Sequence, residues 1–177
     1  MKILCLIGQS GSGKTTIGNY LKTLGIPEIV SYTTRKPREG EKNGETYYFV
    51  SKKEFDLLDK VESVEYAGNF YGTSKGKIEE ISSKSNLMFA IVTLDGFEAL
   101  KKCYPNNVVS VYVHANRMEC ITRMILRGDS EENIKKRISN SKLIDEAKNA
   151  DDCDYAIHND NLENAKKEII EICKKLK

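Results

Sequence analysis

A short apolar run, Ile3-Leu-Cys-Leu-Ile7, breaks at Gly8 and continues as Gln-Ser10-Gly11-Ser12-Gly13-Lys14-Thr15-Thr16. Beyond it, Ile17, Tyr20, Leu21 and Leu24 recur at helical spacing until Gly25 and Pro27 stop them. The stretch therefore reads as strand, glycine loop and helix, the setting in which G-x-x-x-x-G-K-[ST] cradles phosphate groups. Gly8, Gly11 and Gly13 let the backbone curl its N–H groups round an anion. The helix that follows adds unpaired N–H groups and a partial positive charge. Lys14 supplies a full charge for the β and γ phosphates, and the Thr15 hydroxyl can ligate a phosphate-bound Mg²⁺. Few other folds satisfy this stretch, which points to a nucleoside triphosphate as the first ligand.

Strand-like segments recur at 28–30, 87–94, 108–113 and 155–158, separated by helical spacing at 96–103, 117–127, 131–148 and 162–176. Alternation of this kind predicts an α/β fold: a P-loop NTPase core with a parallel sheet flanked by helices. Ligands in such sheets gather at the carboxyl ends of the strands, where the glycine loop already lies. Residues 31–85 interrupt the rhythm; they are rich in Tyr, Gly, Lys and Glu, with a short strand at 46–50 and no long buried run. They are read as an insertion holding a second substrate, within a single domain whose core is 1–30 and 86–177. A polar interval beginning at Arg127-Gly-Asp-Ser predicts a short lid over 127–137.

With 177 residues the chain can bury one substantial core. Its 28 basic and 26 acidic side chains nearly cancel, so no global field draws it to nucleic acid. The five cysteines form no C-x-x-C pair, which favours reduced thiols over a metal site or disulfides. No apolar run approaches the roughly 18 residues of a membrane span, and the first one feeds directly into the loop it would have to leave behind as a cleaved signal. The expectation is a cytoplasmic protein, monomer or homodimer, acting on small molecules without nucleic acid or membrane.

Within the insertion, Ser31-Tyr-Thr-Thr-Arg35-Lys-Pro-Arg38-Glu-Gly-Glu is followed by Tyr47-Tyr-Phe49 and by Glu65-Tyr-Ala-Gly-Asn-Phe-Tyr71-Gly-Thr73. Arg35 and Arg38 can present permanently charged forks to one phosphate. Tyr47 and Tyr71 add neutral hydroxyl donors. Through the S-x-T-T-R-x-P-R-x-G-E and G-N-x-Y-G-T segments and the late Asn159-Asp160, the chain resembles nucleoside monophosphate kinases of the guanylate kinase family over nearly its whole length. The resemblance implies ATP-dependent phosphorylation of GMP or dGMP, with Mg²⁺ accompanying ATP. It assigns Arg35, Arg38, Tyr47 and Tyr71 to the acceptor phosphate and Ser31, Glu65 and Thr73 to the base, and it brings Asn159 to the donor nucleotide. Arg123, Arg127 and Arg137 resemble the family's lid arginines. Another nucleoside monophosphate as acceptor, or a catalytically silent guanylate-kinase-like binding module, are the competing expectations.

A carboxylate suits guanine because it can accept both the N1–H and the 2-amino group, whereas adenine offers neither. The family's acidic D-x-D pair is missing: aligned on Gly96, its positions hold Ile91 and Thr93. Thr93 keeps a hydroxyl for the acceptor base. Asp95, two residues on and on the same face of an extended strand as Thr93, is the candidate to replace the lost charge near the metal. His114 and His158 end two strands and are read as structural.

Overall fold

The computed structural model describes residues 1–38, 40–66, 68–138 and 152–176. Its core sheet has four parallel strands in the order β6 (Leu87–Ile91), β1 (Lys2–Ile7), β7 (Val108–His114), β8 (Tyr155–His158). Side chains alternate across a strand, so β1 serves two cores. Leu4 and Leu6 pack with Phe89, Val111, Val113 and Ile157 beneath α1 (Lys14–Thr23) and the last helix, α7 (Leu162–Leu176). Ile3, Cys5 and Ile7 pack with Met88, Ala90 and Tyr112 beneath α3 (Lys75–Ser82) and α4 (Leu94–Cys103). A sheet covered on both faces needs near-continuous apolar strands, and each large side chain buried here contributes about 1.5–3 kcal/mol of transfer free energy.

The insertion folds as a second sheet, β3 (Tyr48–Phe49), β2 (Tyr32–Thr33), β5 (Asn69–Ser74), β4 (Lys60–Tyr66), with α2 (Lys52–Leu57) beside it. The Ser51 hydroxyl and the Glu54 carboxylate cap the start of α2 reciprocally. Phe55 of α2 is buried against Phe70 of β5, at 5.9 Å between ring centres. β4 and β5 form an antiparallel hairpin in which Glu62 faces Thr73, Val64 faces Tyr71, and Glu65 faces Phe70. None of β2, β4, β5, α2 or α3 is evident from the sequence, because these short elements bury only scattered apolar side chains.

Two boundaries differ from expectation. Residues 28–30 form no strand: Glu28 makes an isolated bridge to Phe89 at the sheet edge. The strand expected over 87–94 ends at Ile91, since the Thr93 hydroxyl accepts from the Gly96 amide (3.2 Å) and opens α4 at Leu94. Asp95 therefore lies in the first turn of a helix, exposed, and shares no strand face with Thr93. Beyond α5 (Arg117–Leu126), α6 is described over Glu131–Ile138; the rest of the helix expected to reach 148 lies outside the described residues.

Burial sorts the thiols: Cys5, Cys120 and Cys173 are buried, Cys103 is exposed, and burial pushes the Cys5 thiol up to about 12. A thiol-reactive dye should label Cys103 in the folded protein and reach Cys5 only after unfolding. Labelling of both at one rate, read by peptide mass, would contradict this packing.

Candidate active site

The glycine loop lies between β1 and α1, and its conformation is enforced by what surrounds it. At Gly8, φ is 143° and a methyl group would sit 2.0 Å from the Val113 carbonyl oxygen. At Gly13, φ is 95° and a methyl group would sit 2.1 Å from Nδ2 of Asn159. Any side chain at either position strains the backbone and displaces a neighbouring strand end. Asn159 is buried and donates to the Ser12 carbonyl (2.8 Å). Arg123 of α5 reaches the same arc, donating to the Gly11 carbonyl (3.4 Å) and, through Nη2, to the Asn159 carbonyl (3.0 Å). The outer side of the loop is thus held by an amide and a guanidinium, which leaves its inner side for a ligand.

Lys14 folds back over that inner side, with Nζ donating to the carbonyls of Gly8 (2.7 Å) and Gln9 (2.8 Å). Burial lowers its pKa from 10.5 to about 8; the nearby Cys120 thiol works against that shift, and the charges of Arg127 and Arg137 add to it. Arg137 of α6 crosses from the lid to donate to the Ser10 hydroxyl (2.7 Å). Thr15 and Thr16 are exposed in the first turn of α1. Thr15 also lines a cleft of about 240 Å³ together with Ser31 and Tyr47 of the insertion, so α1 and the insertion face one space.

On the acceptor side, Arg35 meets Glu41 in a two-pronged ion pair, Nη2 to Oε1 at 2.8 Å and Nη1 to Oε2 at 2.9 Å. Its guanidinium lies 5.6 Å from the ring centre of Tyr47 and 5.5 Å from that of Phe49, within cation–π range. The Tyr47 and Tyr71 rings meet edge to face at 5.7 Å. Glu41 also accepts from the Arg38 amide (2.7 Å), while the Arg38 side chain stays at the surface. The hydrogen bond from Arg35 offsets the cost of burying Glu41 and holds its carboxyl below the ordinary range.

Deeper in the insertion, the Thr73 hydroxyl donates to Glu62 Oε1 (3.0 Å) and lies 3.4 Å from the Ser31 hydroxyl. A methyl group at Gly96 would sit 3.4 Å from Thr93 Oγ1 and 3.7 Å from the Glu62 carboxyl carbon, so Ser31, Thr73, Glu62 and Thr93 converge at the start of α4. Burial raises the Glu62 pKa, against the hydrogen bond from Thr73.

The guanylate kinase family model matches residues 1–176. This chain belongs to the guanylate kinase family. It is 39% identical to the guanylate kinase of Helicobacter pylori, over 98% of this chain and 87% of that one. It is 38% identical to the guanylate kinase of Prochlorococcus marinus, over 97% and 96%. The crystal structure of guanylate kinase from Anaplasma phagocytophilum superposes with a TM-score of 0.72 at 27% identity, covering 98% of this chain and 85% of that one.

Within this guanylate kinase fold, the carboxylate beside Ser31 and Thr73 is Glu62, and the expectation for Glu65 is corrected. Glu65 is exposed, because a step of three residues along a strand lands on the opposite face. The missed signal is the hairpin itself: counting back across the turn from Asn69 and Tyr66 sets Glu62, not Glu65, opposite Thr73. Glu41 was also unassigned, although it closes the same arginine-rich segment. His114 and His158 stack at 4.7 Å on adjacent strand ends, and His158 pairs with Asp160 (3.0 Å). Glu131 and Glu132 pair with Lys135 and Lys136 on the outer face of α6.

A lysine held near 8 is partly neutral at that pH, and a polyphosphate beside it favours the charged form. ATP binding should take up protons between about pH 8 and 9 and weaken as pH rises through that window, because the unliganded protein must then charge Lys14 to bind. Calorimetry in buffers of different ionisation enthalpy measures the uptake; none at pH 8.5 would contradict the depressed pKa.

Proposed function

We propose that this chain is a guanylate kinase, a nucleoside monophosphate kinase that moves the γ-phosphoryl group of ATP to GMP or dGMP and releases ADP with GDP or dGDP. The observation that carries the reading is the hydrogen-bonded set Glu62, Thr73 and Ser31: Ser31 lines a cleft together with Tyr47, which packs against Arg35 and Tyr71, and with Thr15, the neighbour of Lys14. The Glu62 carboxylate suits the N1–H and 2-amino donors of guanine. The Thr73 hydroxyl proton is committed to Glu62, so in the free chain the Ser31 hydroxyl donates to Thr73, a long contact it would exchange for guanine O6 when the base binds. Adenine would leave the half-buried Glu62 carboxylate with the Thr73 hydroxyl alone and no donor from the base, and sites built this way reject such analogues by up to about 10⁴–10⁵.

The attacking group is an anionic phosphate oxygen, so no general base is needed; the protein must align two phosphates and offset the charge that develops between them. Arg35, Tyr47 and Tyr71 would orient the acceptor phosphate, with Arg38 closing from the surface. Lys14 and the loop amides would hold the β and γ phosphates, and Arg123, Arg127 and Arg137 would exclude water and neutralise the transferring group. Among the described residues no cluster of His, Cys, Asp or Glu is arranged to hold a metal ion. The Thr15 hydroxyl, a hard oxygen ligand on the cleft wall, fits Mg²⁺ carried in on the triphosphate. When bound, that ion would neutralise phosphate charge. Asp95, exposed in the first turn of α4, is not among the residues that line this cleft.

No helix among the described residues is long and apolar enough to cross a membrane. A cytoplasmic location accompanies the proposed activity, since its substrates are pooled there and an exposed thiol such as Cys103 stays reduced.

A coupled assay for ADP with a panel of monophosphates tests the reading: GMP and dGMP should stimulate turnover, Lys14→Ala should abolish it, and turnover with another base alone would assign a different acceptor. Glu62→Gln should lower kcat/KM for GMP by roughly 10²-fold or more, whereas Glu65→Gln should stay within about twofold. Equal losses in the two variants would contradict the base site drawn here.

A further inference from the structure

The lid corner contains a carboxylate that nothing in the proposed reaction uses. α5 ends at Arg127, and Gly128 (φ 83°) turns the chain so that its amide bonds to the Ile125 carbonyl (2.9 Å) and that of Asp129 to the Met124 carbonyl (3.0 Å). This double closure is a Schellman turn, and it fixes Asp129 beside the residue two positions before it. Ser130 then caps α6 by accepting from the Asn133 amide (3.3 Å). Asp129 is pinned between two capped helix ends rather than carried on a loose loop.

Its side chain is only 11% exposed and grips Arg127 with both oxygens, Oδ1 to Nε at 3.0 Å and Oδ2 to Nη2 at 2.5 Å. Oδ2 also lies 4.0 Å from Nε of Arg137. The pattern of edges matters more than the count. Both arginines present their Nε side to Asp129, and Arg137 extends the opposite tip, Nη1, to Ser10 in the phosphate loop. The Nη1 tip of Arg127 is likewise left on the side away from the carboxylate.

Two guanidiniums held this close repel each other until a phosphate joins them. A fixed carboxylate on their rear edges offsets that repulsion and restricts their rotamers without occupying the tips a phosphate would use. We propose that Asp129 is a positioning residue that preassembles Arg127 and Arg137 as a two-tipped clamp for the transferring phosphoryl group. The hydrogen bond from Arg127, with the charges of Arg127, Arg137 and Arg38, holds the Asp129 carboxyl below its ordinary range against the cost of its burial.

The inference rests on the kinase reading above. A merely structural Asp129 would cost stability and leave the kinetic pattern alone. With Asp129→Asn, kcat should fall roughly 10–100-fold, in line with the cost of small misplacements, while KM for GMP stays within about twofold. In an Arg127→Ala background, the same change should cost under about threefold, because its main client is gone. An Asp129→Asn enzyme as active as the parent, or an equal loss in both backgrounds, would overturn the proposal; an inactive parent would instead overturn the kinase reading. Independently of turnover, the Arg127 Nε–H should exchange slowly in ¹⁵N spectra of the parent and quickly in Asp129→Asn, and unchanged exchange would also overturn it.

Discussion

Permanent positive charge must be held together in one cleft before any phosphate arrives, and that requirement runs through the whole site. Four of the cations the proposed reaction would use are occupied in the free chain by weaker local acceptors. Lys14 lies on the carbonyls of Gly8 and Gln9, Arg123 on those of Gly11 and Asn159, Arg35 on Glu41, and Arg127 on Asp129. Carbonyl dipoles and single carboxylates offset mutual repulsion without matching the charge of a polyphosphate, so the ligand can displace some of them and be guided by others. An unbalanced cluster would instead spread into solvent.

The sheet supplies the geometry that makes this possible. Parallel strands end together, which brings the Val113 carbonyl and Asn159 against the glycine loop and leaves no room for side chains at Gly8 or Gly13. The residues proposed to hold the acceptor lie on and beside the strands of a second sheet, which begins just after Ser31. The two parts share apolar surface: Ile78 and Ile81 of α3 complete the second core cluster and Val61 of β4 packs against it, while the first cluster draws nothing from the insertion.

Legibility followed the density of constraint. The glycine loop, the alternating core strands and α7 announce themselves because strand and helix periodicities are unbroken and the phosphate motif admits few alternatives. The insertion was legible as a break in the strand–helix rhythm but not as a sheet, since its strands are two to seven residues long and only partly buried. Thr93 was readable as polar, not as a helix cap, and that one hydroxyl moved Asp95 from a strand to a helix. Glu62 and Glu65 are indistinguishable by type and neighbourhood; only the pairing of β4 with β5 separates them. Glu41 and Asp129 looked like ordinary surface acids because the arginines they serve are six and two residues away, and their roles depend on turns rather than on periodicity.

The hairpin between β4 and β5 has a further implication for how such a fold can change its choice of base. Inserting or deleting one residue in the turn near Gly68 would slide every facing pair and rotate the reading carboxylate out of the pocket, with Ser63 or Val61 arriving in its stead. If Glu62 reads the base as proposed, the length of this turn sets which side chain stands opposite Thr73, and a one-residue change there would alter base preference abruptly where point substitutions would only tune it.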